Sequence, residues 1–178
     1  MDDIFAQLAN LVSNSSDDSL SAASLSAGSD DEMFEDDGFK VPVIKPKKVD
    51  RDKPLIIVID DDFSTLDLMK IYLQRNYEYL PFDNPKNAIF YLNGNVPDLI
   101  FIDCYLYTIK TKKMLEIIRT YAELKNVPIV YIAEPSEMAL MHNRMKDDGV
   151  SGCISRPVKR GELQAILDEV LPVEPVNQ

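Results

Sequence analysis

Aspartates stand where two apolar runs end. Leu55-Ile56-Ile57-Val58-Ile59 leads into Asp60, Asp61 and Asp62, and Leu99-Ile100-Phe101-Ile102 leads into Asp103. Brought into one crevice, Asp60, Asp61 and Asp103 would be like charges that cannot all stay ionised without a cation between them. A donor set of oxygens alone favours Mg²⁺ or a similar hard ion. A carboxylate beside such an ion can attack a phosphoryl group, because the developing charge is neutralised and the substrate oxygens are held in line. The plainer alternative is that these acids cap strand ends or hold a structural ion.

The elements that would position them follow from the same runs. A short apolar run that stops at an acid reads as a buried parallel strand whose carboxyl end reaches the sheet rim, where open α/β sheets bind ligands. Such runs predict strands over 55–59, 77–80, 99–102, 129–132 and 153–155. Each is followed by residues at helical spacing. These are Leu68, Met69, Tyr72 and Leu73; Ala88, Ile89 and Leu92 behind an Asn84-Pro85 start; Met114, Ile117, Ile118 and Tyr121; Met138, Met141 and Met145; and Leu163, Ile166, Leu167 and Val170. The methionines read as core. Five βα units predict an α/β fold, a doubly wound parallel sheet of five strands with right-handed crossovers.

Composition narrows the function classes. The chain has 178 residues and a formal net charge of −11, which argues against nucleic acid as a partner. The apolar runs are about strand length and fall short of the ~18 residues of a membrane span. The start Met1-Asp2-Asp3 lacks the basic region of a secretory signal, so the expected location is cytoplasmic. Cys104 and Cys153 fall in or beside predicted strands and read as buried thiols, not as a disulfide.

Charge divides the chain. Residues 1–39 carry −10, residues 40–53 carry +4 and residues 54–178 carry −5. The domains expected are an acidic, Ser-rich, mostly disordered N-terminal arm with a basic linker over 1–53, a globular body over 54–172 and a tail over 173–178. Within the arm, Ile4, Phe5, Leu8, Leu11 and Val12 recur at helical spacing. This spacing predicts a short helix near 3–13 that either docks into a partner's groove or packs on its own body. Met33, Phe34 and Phe39, set among acids, form a second candidate docking piece. The segment from Val41 to Lys48 reads as an extended, Pro-stiffened linker.

From residue 54 the layout resembles the response-regulator receiver domain. Four segments in the right order carry the resemblance: Ile57-Val58-Ile59-Asp60-Asp61-Asp62, Pro97-Asp98-Leu99-Ile100-Phe101-Ile102-Asp103, Val127-Pro128-Ile129-Val130-Tyr131-Ile132-Ala133, and Gly149-Val150-Ser151-Gly152-Cys153-Ile154-Ser155-Arg156-Pro157. The family's acidic pair is assigned to Asp60 and Asp61. Only from Asp60 do Leu68, Met69, Tyr72 and Leu73 keep the family's spacing, which leaves Asp62 as a surface residue. The resemblance implies a flavodoxin-like receiver fold in which Asp103 is the phosphoacceptor. Mg²⁺ would be bound by Asp61, Asp103 and the carbonyl of Tyr105, and by Asp60 through water. It implies a sensor histidine kinase or phosphotransfer protein as donor. With no output domain expected after residue 172, signalling would pass to a downstream protein by direct contact.

Several positions depart from the family. The hydroxyl residue at the end of the fourth strand is Ala133, and the switch aromatic of the fifth strand is Cys153. The family's lysine before proline is Arg156, which keeps the charge on a planar fork. Metal binding and nucleophilic attack keep their residues, while the hydroxyl-and-aromatic coupling that transmits phosphorylation loses both. Two functions follow from this degenerate form. One is a Mg²⁺-dependent phosphoacceptor in a phosphorelay, whose only chemistry is on its own aspartate. The other is a phosphorylation-independent pseudo-receiver that serves as adaptor or scaffold. A remote third comes from Asp60-x-Asp62-x-Ser64, which fits a haloacid-dehalogenase-type phosphatase with Asp60 as nucleophile and Asp62 as acid/base. His142, the one histidine, reads as a surface residue, and Lys110, Lys112 and Lys113 as a solvated helix start or a contact for acids.

Overall fold

The computed structural model describes residues 45–171. The acidic arm, with both candidate docking pieces, and the tail from residue 172 lie outside the described residues. The elements run β1 (Leu55–Ile59), α1 (Phe63–Leu73), β2 (Glu78–Phe82), α2 (Pro85–Leu92), β3 (Leu99–Asp103), α3 (Thr111–Thr120), a 3₁₀ turn (Ala122–Leu124), β4 (Ile129–Ala133), α4 (Met138–Asp148), β5 (Gly152–Ser155) and α5 (Arg160–Val170). The strands are all parallel and ordered β2-β1-β3-β4-β5, the doubly wound α/β arrangement expected.

β1, β3 and β4 are buried on both faces, which is why their sequences are continuous apolar runs with no alternation. Alternate residues feed two cores. Ile57, Ile59, Ile100, Ile102, Ile129 and Tyr131 pack with Ala88, Leu92, Met114, Ile118 and Met141 from α2, α3 and α4. Ile56, Val58, Phe101, Val130 and Ile132 pack with Leu66, Met69, Leu73, Leu163 and Leu167 from α1 and α5. Each large side chain fully buried in this way contributes roughly 1.5–3 kcal/mol.

Differences from the sequence reading have physical causes. The second strand runs from Glu78 to Phe82, later than the expected 77–80. Tyr77 belongs to the turn after α1, where its N–H donates to the Leu73 carbonyl at 3.0 Å. Pro81 is admitted because β2 is an edge strand, with a free side where no N–H is needed. In α3 the buried face is Met114, Leu115 and Ile118, while Ile117 and Tyr121 are only partly covered. Arg119 has a role its position did not announce. Its Nη1 donates to the carbonyls of Leu124, Lys125 and Val127 at 2.8–3.0 Å, and its Nη2 to that of Gly149 at 2.9 Å. It thereby ties the end of α3 to the turn between α4 and β5. Gly149 closes α4 in the left-handed conformation (φ 65°).

The part of the basic linker that is described is extended and attached to the body. The Val96 N–H donates to the Lys47 carbonyl and the Lys47 N–H to that of Gly94, both at 3.2 Å, Lys48 pairs with Asp98 at 3.1 Å, and Arg51 pairs with Glu78 at 3.4 Å. Among the described residues no helix is long and apolar enough to cross a membrane.

Candidate functional site

The sheet order reverses between β1 and β3, so the crossovers from these strands leave in opposite directions. A crevice opens at their carboxyl ends. Asp103 ends β3, and Asp60 and Asp61 follow β1 immediately. One oxygen from each of Asp60, Asp61 and Asp103 lies within 4.8 Å of the other two. An open cleft of about 360 Å³ lies above them, lined by Asp61, Asp103, Tyr105, Tyr107, Glu134 and Arg156 among others.

Each acid is held differently. Asp60 is fully buried; its Oδ1 accepts the N–H of Asp62 at 2.9 Å and its Oδ2 accepts from Arg156 Nη2 at 2.7 Å. Burial pushes its carboxyl up to about 6; the Asp62 N–H and Arg156 oppose that, while Asp103 adds to it. Asp103 is also raised, first by burial, with Arg156 and the N–H of Tyr105 pulling it back. Asp61 is more open, and its Oδ2 accepts the N–H of Tyr107 at 3.1 Å, which fastens the loop after β3 over the site.

Arg156 enters from the end of β5. Ala133 pairs with Ser155 across the last rung, and the Arg156 N–H donates to the Ala133 carbonyl at 2.9 Å. This aims the guanidinium into the crevice, where Nη2 also lies 3.0 Å from Asp103 Oδ1. Burial pulls the guanidinium's pKa down, and Asp60 and Asp103 more than offset that.

Two residues have roles that the sequence reading did not assign to them. Asp62 caps α1: its carboxylate accepts from the Ser64 N–H at 3.0 Å and from Thr65 Oγ1 at 2.9 Å. The Thr65 hydroxyl leads in holding its pKa below the usual value. Its carboxylate oxygens are thereby occupied in holding the helix start. The signal was present, since Asp two residues before Ser at a helix start is a capping pattern. Thr111 is buried and joins the two ends of the loop between β3 and α3. Its Oγ1 donates to the Asp103 carbonyl at 2.9 Å and accepts from the Leu106 N–H at 3.4 Å. A threonine at a helix start carries no mark of that role.

Of the departures from the family, Arg156 lines the cleft, while Ala133 and Cys153 are not among its lining residues. Ala133 is fully buried at the end of β4. Cys153, paired with Tyr131, is half-buried, and its Sγ lies 3.5 Å from Met138 Sδ. Burial pushes its thiol up to about 11 and that of Cys104 up to about 12, and both are free. Met141 is buried and Met138 and Met145 pack partly against the same core. His142 is exposed, with Nδ1 2.8 Å from the Met138 carbonyl. Lys110 precedes α3 without a side-chain cap, and Lys112 and Lys113 are exposed.

All donors in the crevice are oxygens, and the three carboxylates converge closely enough to share one cation. This set fits a hard divalent ion such as Mg²⁺. The carbonyl expected as a further donor belongs to Tyr105, which lines the same cleft.

A five-stranded parallel sheet in this order, with acids at the β1 and β3 ends, defines a doubly wound α/β protein with its site at the switch point. Residues 56–168 match the response regulator receiver domain, and the chain belongs to that family. No curated protein matches it. Among solved structures it is similar to the receiver domain of a sensor histidine kinase from Pseudomonas aeruginosa, which has a magnesium ion coordinated in its active site cleft. Identity is 20%, the TM-score is 0.59, and 66% of this chain and 96% of that one are covered. A response regulator receiver protein from Pseudomonas putida is 20% identical, with a TM-score of 0.58 over 67% of this chain and 98% of that one. The Vibrio cholerae chemotaxis protein CheY4 is 20% identical, with a TM-score of 0.59 over 67% of this chain and 99% of that one. At these identities the likeness shows the fold.

Proposed function

We propose that this receiver-domain protein is a Mg²⁺-dependent phosphoacceptor in a phosphorelay, with Asp103 as the residue phosphorylated. The observation that supports it most is the convergence of Asp60, Asp61 and Asp103 within 4.8 Å at the switch point of the sheet. Asp60, Asp61, Asp103 and the Tyr105 carbonyl would hold Mg²⁺, which would supply charge neutralisation at the transferred phosphoryl oxygens. A carboxylate oxygen of Asp103 bonds to phosphorus while the phosphorus–nitrogen bond of a phosphohistidine donor breaks. The electron pair leaves with the imidazole, and an aspartyl phosphate remains. Arg156 screens part of the added charge. The donor is a histidine kinase or phosphotransfer protein. Output goes to a partner protein, a role supported by the exposure of Tyr105 and Tyr107, which line the cleft. The receiver body is taken as 54–172, with 1–53 as an appended arm and linker.

A second reading is the phosphorylation-independent adaptor. It is favoured by Ala133 and Cys153, which leave no hydroxyl and no aromatic ring at the two positions that would relay the modification. Incubation with a small phosphodonor decides between them. With Mg²⁺ the intact mass gains one phosphoryl group, which is absent in Asp103→Asn and after chelation. No adduct with any donor supports the adaptor.

A further inference from the structure

The guanidinium of Arg156 sits inside the acidic cluster. One nitrogen, Nη2, spans Asp60 Oδ2 at 2.7 Å and Asp103 Oδ1 at 3.0 Å. These are two of the three carboxylates that a divalent ion would need. The other nitrogens face outward, with Nη1 3.6 Å from Asp62 Oδ2 and Nε 4.0 Å from Glu134 Oε1. The two pairs of acids differ in environment. The side chains of Asp60 and Asp103 are 0% and 10% exposed, whereas those of Asp62 and Glu134 are 43% and 59% exposed.

We propose that Arg156 is a tethered counter-ion that competes with the divalent cation for Asp60 and Asp103, and that cation binding drives its guanidinium outward onto Asp62 and Glu134. This rests on the reading of the cluster as a Mg²⁺ site. A dication and a guanidinium on the same buried oxygens repel each other strongly, because little water lies between them to screen the charges. The outward acids offer a second seat within reach of the same fork. No backbone shift is required, since the Arg156 N–H stays bonded to the Ala133 carbonyl. A lysine at this position would hold the inner seat less firmly, because an ammonium is more strongly hydrated than a guanidinium and gives up more water to enter the buried cluster. Arg156 is thus a positioning residue that sets the threshold cation concentration at which the site fills.

Calorimetric titration of the full chain with MgCl₂ tests this. Arg156→Gln binds on the order of tenfold more tightly than the wild type or better. Arg156→Lys falls between them, so affinity rises in the order Arg, Lys, Gln. An Arg156 that merely supports the fold would give equal or weaker binding in both variants, and that result overturns the competition while leaving the Mg²⁺ site standing. If Arg156→Gln does not fold, the comparison of Arg with Lys decides alone. Binding in none of the proteins overturns the competition and the Mg²⁺ site together. In the wild type, the Arg156 Nε–H resonance shifts as Mg²⁺ saturates the site; an unshifted resonance at saturation overturns the displacement.

Discussion

Asp60 shows what the site costs the fold. Burial raises its carboxyl from 3.8 to about 6, so the folded chain holds this proton more tightly than the unfolded chain does. The stability it contributes is fully present below about pH 4 and is lost as the pH rises through about 6. In chelator, Asp60→Asn is therefore more stable than the wild type at pH 7, by on the order of 2 kcal/mol, and loses that advantage at pH 4. Denaturant melts at the two values check this, and parallel pH curves for the two proteins contradict it. Thr111 acts in the opposite sense. Thr111→Val leaves the Asp103 carbonyl and the Leu106 N–H without their buried partner, at a cost of about 1–2 kcal/mol in the same melts. The acids were legible because an apolar run that breaks at Asp marks a strand end. Thr111 was not, because its bonds join residues whose proximity depends on how the loop closes.

Helix starts and strand edges decide which elements the sequence announces. Asn84 caps α2 by accepting the Lys86 N–H at 2.9 Å, with Pro85 in the first turn, as its sequence implied. Asn84→Ala costs about 1 kcal/mol of stability while cation affinity stays unchanged, because α2 contributes no residue to the cleft. A parallel loss of Mg²⁺ binding would show that the cap and the site are coupled. β1, β3 and β4 were legible since a strand buried on both faces is apolar throughout. β2 was displaced because its exposed edge admits Glu78 and Pro81, which carry no strand signature. α3 was misjudged in its face: Leu115 is buried where Ile117 was expected, since period alone does not say which side of an apolar stripe meets the sheet.

At the scale of the molecule, the fold supplies the convergence that the residues alone lack. The strand order places the ends of β1 and β3 side by side, and β5 delivers Arg156 to the same rim. Phosphorylation of Asp103 would replace a carboxylate by a group carrying roughly −1.5 to −2 charge at neutral pH, a net gain of up to about one negative charge. One guanidinium already shared between Asp60 and Asp103 would leave that charge unbalanced, so the proposed modification would depend on a divalent ion. The most direct measurement traps the product chemically. Borohydride reduces an aspartyl phosphate to homoserine, and peptide mapping after phosphodonor, Mg²⁺ and reduction locates it. The account predicts conversion at position 103 alone, dependent on Mg²⁺. Conversion at Asp60 or Asp61, or at no aspartate under conditions that label an active receiver domain, would contradict it.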